Sequence, residues 1–79
     1  MYIVIAGGGE VGGELARTLE KAHEVVVVDR NPQAKERLAH LDVKVVVGGA
    51  TDPDTLREAG VDRADLFIAS TDSDEVNLL

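Results

Sequence analysis

Cysteine is absent from this chain of 79 residues, and disulfides, thiolate nucleophiles and cysteine-based zinc sites go with it. The absence fits a reducing compartment. Aromatic residues are almost missing as well: Tyr2 and Phe67 are the only two, both inside strand-like runs, where core packing is their expected use. No apolar run approaches the roughly 20 residues that cross a bilayer. The longest aliphatic stretches, such as Val25 to Val28, are strand-sized, so direct membrane insertion is excluded. A cleavable leader is not expected, because Met1 leads straight into the first predicted strand.

Positive charge is scarce in the second half. From Leu41 onward Lys44, Arg57 and Arg63 stand against Asp42, Asp52, Asp54, Glu58, Asp62, Asp65, Asp72, Asp74 and Glu75, and the whole chain carries a formal charge of −7. An acidic surface repels phosphodiester backbones, which argues against a nucleic-acid partner. His23 and His40 have no partner spacing that suggests a metal. Asp72, Asp74 and Glu75 lack the six or more ordered oxygens of a calcium loop. Ser70, Thr71 and Ser73 have neither a nucleophile elbow nor a base. No catalytic or metal-binding residue is therefore expected.

What is present is an alternation. Tyr2 to Ala6, Glu24 to Asp29, Val43 to Val47 and Leu66 to Ala69 are short, apolar and largely β-branched without polar interruption, the pattern of strands buried on both faces of a parallel sheet. Between the first two, Val11, Leu15 and Leu19 recur with Gly12 and Ala16 beside them, which predicts a helix from about Glu10 to Ala22. Asn31 before Pro32 predicts a second helix with Ala34, Leu38 and Leu41 as its stripe. Asp52 before Pro53 opens a third, which Gly60 stops in a left-handed conformation. Asp72 with Glu75 three positions on reads as a capping box opening a fourth.

The expected fold is thus α/β: a Rossmann-like parallel sheet of four strands in the order 3-2-1-4 with helices on both faces, half of a doubly wound domain spanning 1–79. The face holding the third helix looks thinly covered. A bare apolar patch there, or the edge of the fourth strand, is where self-association is expected.

The turn after the first strand carries Gly7, Gly9 and Gly12 in Gly-x-Gly-x-x-Gly spacing. The pattern alone is weak; its position between strand and helix, with Asp29 closing the next strand, raises it to a dinucleotide fingerprint. Gly7 permits the tight turn, Gly9 lets backbone approach a pyrophosphate, and Gly12 lets the helix pack on the sheet. The N–H groups of Glu10 and Val11 at the helix start attract phosphate. Gly8 and Gly13 are glycines the pattern does not require. Asp29 can accept hydrogen bonds from ribose hydroxyls and would repel a 2′-phosphate. Arg30 is read equally as a group stacking on adenine or reaching a phosphate and as a plain surface charge.

The blocks MYIVIAGGGEVGGELA, HEVVVVDRNP, VVVGGATDPDTLREAG and ADLFIASTDSDEVNLL follow one another in an order and spacing that resembles the N-terminal half of the TrkA-N family, also called KTN or RCK. Its members are cytoplasmic regulatory domains of Trk and Ktr potassium uptake systems and of some potassium channels. The resemblance covers essentially the whole chain. It implies that Gly7, Gly8, Gly9 and Gly12 meet the phosphates and Asp29 the ribose. It further implies that Gly49, Ala50 and Thr51 sit beside the adenine, and that Ser70 and Thr71 line the crevice near the middle of the dinucleotide. Gly49 stands where many members have an acid, and Glu10 where many have a base. The resemblance also implies NAD(H), AMP, ADP or ATP as ligand, a homodimer or larger ring, and a membrane transporter or channel as partner. The alternative readings are the cofactor-binding half of an NAD-dependent oxidoreductase and a minimal engineered Rossmann scaffold.

Overall fold

The computed structural model describes residues 1–7 and 9–70 with their side chains, and 76–78 as backbone. In chain order the elements are β1 (Tyr2–Ala6), α1 (Glu10–Leu19), β2 (Glu24–Asp29), α2 (Ala34–Arg37), β3 (Lys44–Val47) and α3 (Pro53–Ala59). A 3-10 turn (Val61–Arg63), β4 (Leu66–Ser70) and β5 (Val76–Leu78) complete them. The sheet runs β3-β2-β1-β4-β5. The first four are parallel neighbours, and β5 joins β4 antiparallel.

Apolar residues at consecutive positions through the middle of the strands give the sheet two cores. Ile3, Ile5, Val25, Val27 and Ile68 point to one face, where they pack against Ala16 of α1 and Leu38 at the end of α2. Val4, Val26, Val28 and Val46 point to the other and meet Ala59 of α3. Alternate residues of one strand thus bury on opposite sides, and this is why the strand sequences do not alternate in polarity.

The second face is better covered than the sequence suggests. Tyr2, Ala64 and Phe67 close over it, and the Tyr2 hydroxyl donates to the Ala59 carbonyl. Among the described residues only Met1 and Val47 are exposed large apolar side chains, and neither belongs to the group that covers this face. The edge of β4 is not open either, since Ile68, Ala69 and Ser70 pair with Leu78, Asn77 and Val76.

Three other expectations need correction. The predicted fourth helix gives way to a strand over Val76–Leu78; its proposed cap, Asp72 and Glu75, lies outside the described residues. Helix α1 ends at Leu19 rather than Ala22, because the N–H groups of Ala22 and His23 both turn back to the Leu19 carbonyl and redirect the chain into β2. Helix α2 is one turn and starts late: the Asn31 side chain accepts from the Gln33 N–H at 2.9 Å and the Ala34 N–H bonds to the Asn31 carbonyl, so a turn occupies the place of the first helical residues.

Helix α3 matches its sequence signals at both ends. Asp52 Oδ1 accepts from the Asp54 N–H at 3.0 Å, Pro53 is the first helical residue, and Gly60 closes the helix at φ +78°. Asp52 Oδ2 also takes the hydroxyl of buried Thr55 at 3.2 Å. Replacing Asp52 by Ala removes both acceptors. The expected loss is about 1–2 kcal/mol, read as a melting point lower by roughly 4–16 °C at 4–8 °C per kcal/mol; an unchanged melting point would show that the cap contributes nothing.

Candidate functional site

The carboxyl ends of β1, β2 and β4 meet where the strand order reverses, because the chain leaves β1 toward β2 and returns on its other side at β4. Crevices at such points are where α/β sheets hold ligands. Here the crevice is a cleft of about 490 Å³. Its floor follows from register: Ala6 pairs with Val28 on one side and Ala69 on the other, so one row across three strands contributes two methyl groups and one isopropyl. Small side chains keep the floor low. Gly7 and Ser70 continue one wall, Asp29, Arg30 and Asn31 the opposite one, and Gly48 and Ala50 the far end.

Gly7 turns the chain out of β1 at φ +97°, and its N–H donates to the Val28 carbonyl at 2.6 Å. A Cβ built there would lie 2.5 Å from the Ser70 carbonyl oxygen, so strain and lack of space both demand glycine. Gly9 is the N-cap of α1 and supplies no side-chain cap. The first N–H groups of the helix, those of Glu10 and Val11, have no acceptor inside it by construction. Among the described residues, a Cβ on Gly9 would meet nothing within 4 Å, and the same holds at Gly49. Gly9 therefore does not serve packing; it leaves bare backbone beside open space, the geometry an approaching phosphate requires.

Asp29 closes β2 with 16% of its side chain exposed. Its Oδ1 accepts from the Asn31 N–H at 3.0 Å and its Oδ2 from Arg37 Nη2 at 3.3 Å. These bonds orient the carboxylate on the wall of the cleft. Arg30 is exposed on the cleft wall and has no ion pair or hydrogen bond among the described residues.

Of the residues picked from sequence, Gly7, Asp29, Arg30, Ala50 and Ser70 come together around this cleft. Gly9, Gly12, Gly49 and Thr51 belong to the adjoining loops and helix start without lining it. Glu10 and Val11 line a different, shallow groove along the outer side of α1, with Glu14, Leu15, Thr18 and Leu19. The Glu10 carboxylate is thus not among the groups lining the cleft. Gly8 and Thr71 lie outside the described residues. Sequence reading missed Ala6, Val28 and Ala69, although each ends or nearly ends a predicted parallel strand. It also missed Asn31, which an Asp two residues earlier could have flagged as an Asx turn. Arg37 was missed for lack of any local signal.

Charge elsewhere is ordinary. On α1, Arg17 donates to Glu14 at 2.6 Å, and that hydrogen bond, with the attraction between the charges, holds the Glu14 carboxyl below its usual range. Both side chains are exposed and the pair is remote from the cleft floor. A cavity of about 1020 Å³ opens at the amino ends of the strands, among them Tyr2, Glu24 and Lys44. It is larger than the cleft, but among the described residues neither a helix N-terminus nor a glycine lines it. No helix among the described residues is long and apolar enough to cross a membrane. No group of three or more His, Asp or Glu among them is placed to hold a metal ion.

Comparison with known proteins gives one consistent result. The TrkA-N domain model matches residues 3–79. A Trk system potassium uptake protein TrkA homolog of Archaeoglobus fulgidus is 49% identical over 79 residues, covering all of this chain and 18% of that protein. A homolog of the same description from Methanothermobacter thermautotrophicus is 43% identical over 81 aligned positions, with all of this chain and 38% of that protein covered. The Trk system potassium uptake protein TrkA of Vibrio alginolyticus is 39% identical, covering 98% of this chain and 17% of its own. The chain therefore spans well under half the length of the curated relatives it matches.

Proposed function

The chain belongs to the TrkA-N family, a family of nucleotide-binding, Rossmann-type domains, and from that premise we propose that it binds an adenine nucleotide in the cleft at the carboxyl ends of β1, β2 and β4. NAD(H) is the first candidate, with AMP, ADP and ATP as alternatives. In the whole protein this event would bias a potassium uptake system, as the names of the relatives suggest. The chain acts in this reading as a non-enzymatic sensor, working as a homodimer or larger assembly beside a membrane transporter at its cytoplasmic side. One observation carries it: Gly7, which turns the chain toward the uncapped start of α1, and the oriented carboxylate of Asp29 line the same cleft.

The residues divide the work. Backbone N–H groups of Glu10 and Val11 hold the phosphates at the positive end of the helix dipole. Asp29, aligned by Asn31 and Arg37, accepts from ribose hydroxyls. Gly49, Ala50 and Thr51 flank the adenine, while Gly8, Ser70 and Thr71 border the phosphates and the middle of the ligand. A bound dinucleotide would bring a hydride-accepting ring, yet the described cleft wall offers no Lys, His or Tyr as proton donor beside it. This favours binding over oxidoreductase chemistry.

Calorimetric titration with NADH, AMP and ATP, followed by an alcohol-oxidation assay, tests the reading. Binding of at least one nucleotide without turnover is the expected result. Turnover would install the dehydrogenase alternative, and heat-silent titrations confirmed by NMR would remove the site. Sedimentation of the same samples tests the assembly, for which a dimer mass is expected at micromolar concentration.

A further inference from the structure

We propose that Thr55 is a positioning residue for the base: from α3 it sets the backbone at the far end of the cleft, although it is not itself among the residues that line it. The proposal rests on the nucleotide reading above and deepens it. Gly48 and Ala50 form that end of the cleft, and contacts to two different elements hold Gly48 in place. On the β2 side its N–H donates to the Asp29 carbonyl at 2.9 Å. On the α3 side it rests on Thr55: a Cβ built on Gly48 would fall inside contact distance of Thr55 Oγ1 and lie 2.7 Å from Cγ2 and 3.0 Å from Cβ. Gly48 does not have a positive φ, so this packing, and not the turn, keeps the position free of a side chain.

Among the described residues Thr55 is the one buried polar side chain, 7% exposed. A β-branched side chain is stiff at χ1, and its hydroxyl donates to Asp52 Oδ2 at 3.2 Å. Oγ1 thus serves twice, as donor to the residue that caps α3 and as the atom nearest Gly48. The loop from Gly48 to Asp52 is thereby tied at both ends to one side chain, and the Asp52 N–H closes it from within on the Gly49 carbonyl at 3.1 Å. Gly49, Ala50 and Thr51, which the reading above sets beside the adenine, are the span in between. A site is as well shaped as the groups that support it, so loosening Thr55 is felt at the base and not at the phosphates, whose N–H donors belong to α1.

Thr55→Ala, which removes both contacts, is titrated with 5′-AMP and with ribose 5-phosphate, which lacks the base, each followed by the amide chemical shifts of the whole chain. Affinity for 5′-AMP is expected to fall about fivefold, the worth of one ordinary hydrogen bond, while affinity for ribose 5-phosphate stays within about twofold. Thr55→Ser keeps Oγ1 and is expected to retain most of the 5′-AMP affinity; Thr55→Val keeps the branched shape without the hydroxyl and is expected to retain less. The serine and valine variants decide the matter between them if Thr55→Ala does not fold. Equal losses for the two probes, no loss for 5′-AMP, or higher 5′-AMP affinity in the valine variant than in the serine variant would overturn the positioning role while the nucleotide site stands. If the unsubstituted chain binds 5′-AMP but not ribose 5-phosphate, the 5′-AMP affinities of the three variants decide. If it binds neither probe, the nucleotide reading falls and the role of Thr55 with it.

Discussion

Gly12→Val is expected to cost the domain much of its stability, by about 3 kcal/mol as a forced overpacking. In a domain this small that is a melting point lower by roughly 12–24 °C, followed by circular dichroism at 222 nm. Gly12 is buried in the first turn of α1, and a Cβ there would fall well inside contact distance of the Gly7 carbonyl oxygen. The obstruction is backbone, which cannot rotate away as a side-chain tip would. Nor can the turn shift as a unit. The Gly7 N–H is tied to Val28 at 2.6 Å, and the place of its own missing Cβ is occupied by Ser70. The turn is therefore packed through backbone contacts against the helix, β2 and β4. A melting point within about 2 °C of the unsubstituted protein would mean that the turn has room the structure denies.

Gly9→Val, three residues earlier, is expected to do the reverse. A Cβ at Gly9 meets nothing within 4 Å among the described residues, so the stability change should not exceed about 1 kcal/mol, the usual difference between N-cap residues. The added isopropyl group would instead fill space that the phosphates need beside the first helical N–H groups. Nucleotide affinity should fall at least tenfold, about 1.4 kcal/mol, while the fold persists. The two valines thus separate two demands that one fingerprint conflates: the third glycine serves packing, and the second serves the ligand. If Gly9→Val left affinity intact, phosphate would have to bind elsewhere.

Much of this was legible from residues. Strands β1 and β2 were placed to the residue, because continuous β-branched runs bounded by glycine or charge have few other readings. Helix α3 was also legible, since its start and stop are both written in local chemistry, Asp52-Pro53 and Gly60. The failures share a cause. Asn31-Pro32 looks like a helix start, and only the three-dimensional turn shows the Asn31 side chain serving Gln33 ahead of the helix. Val76 to Leu78 follow a plausible capping signal, but pairing with β4 is a non-local choice that outweighs a local one. At the site, Asp29 and Gly7 were found because their roles are local. Arg37 was not, since its meeting with Asp29 depends on how a one-turn helix is carried over the sheet.

The antiparallel strand β5 has one more consequence. By pairing with β4 it becomes one border of the sheet itself, and β3 is the other among the described strands. That border is only four residues long and begins with Lys44, and short, charged borders discourage stacking of chains into fibrils. At this border, resistance to fibril growth should accordingly hinge on Lys44 at the start of β3 and on the exposed Val47 at its end.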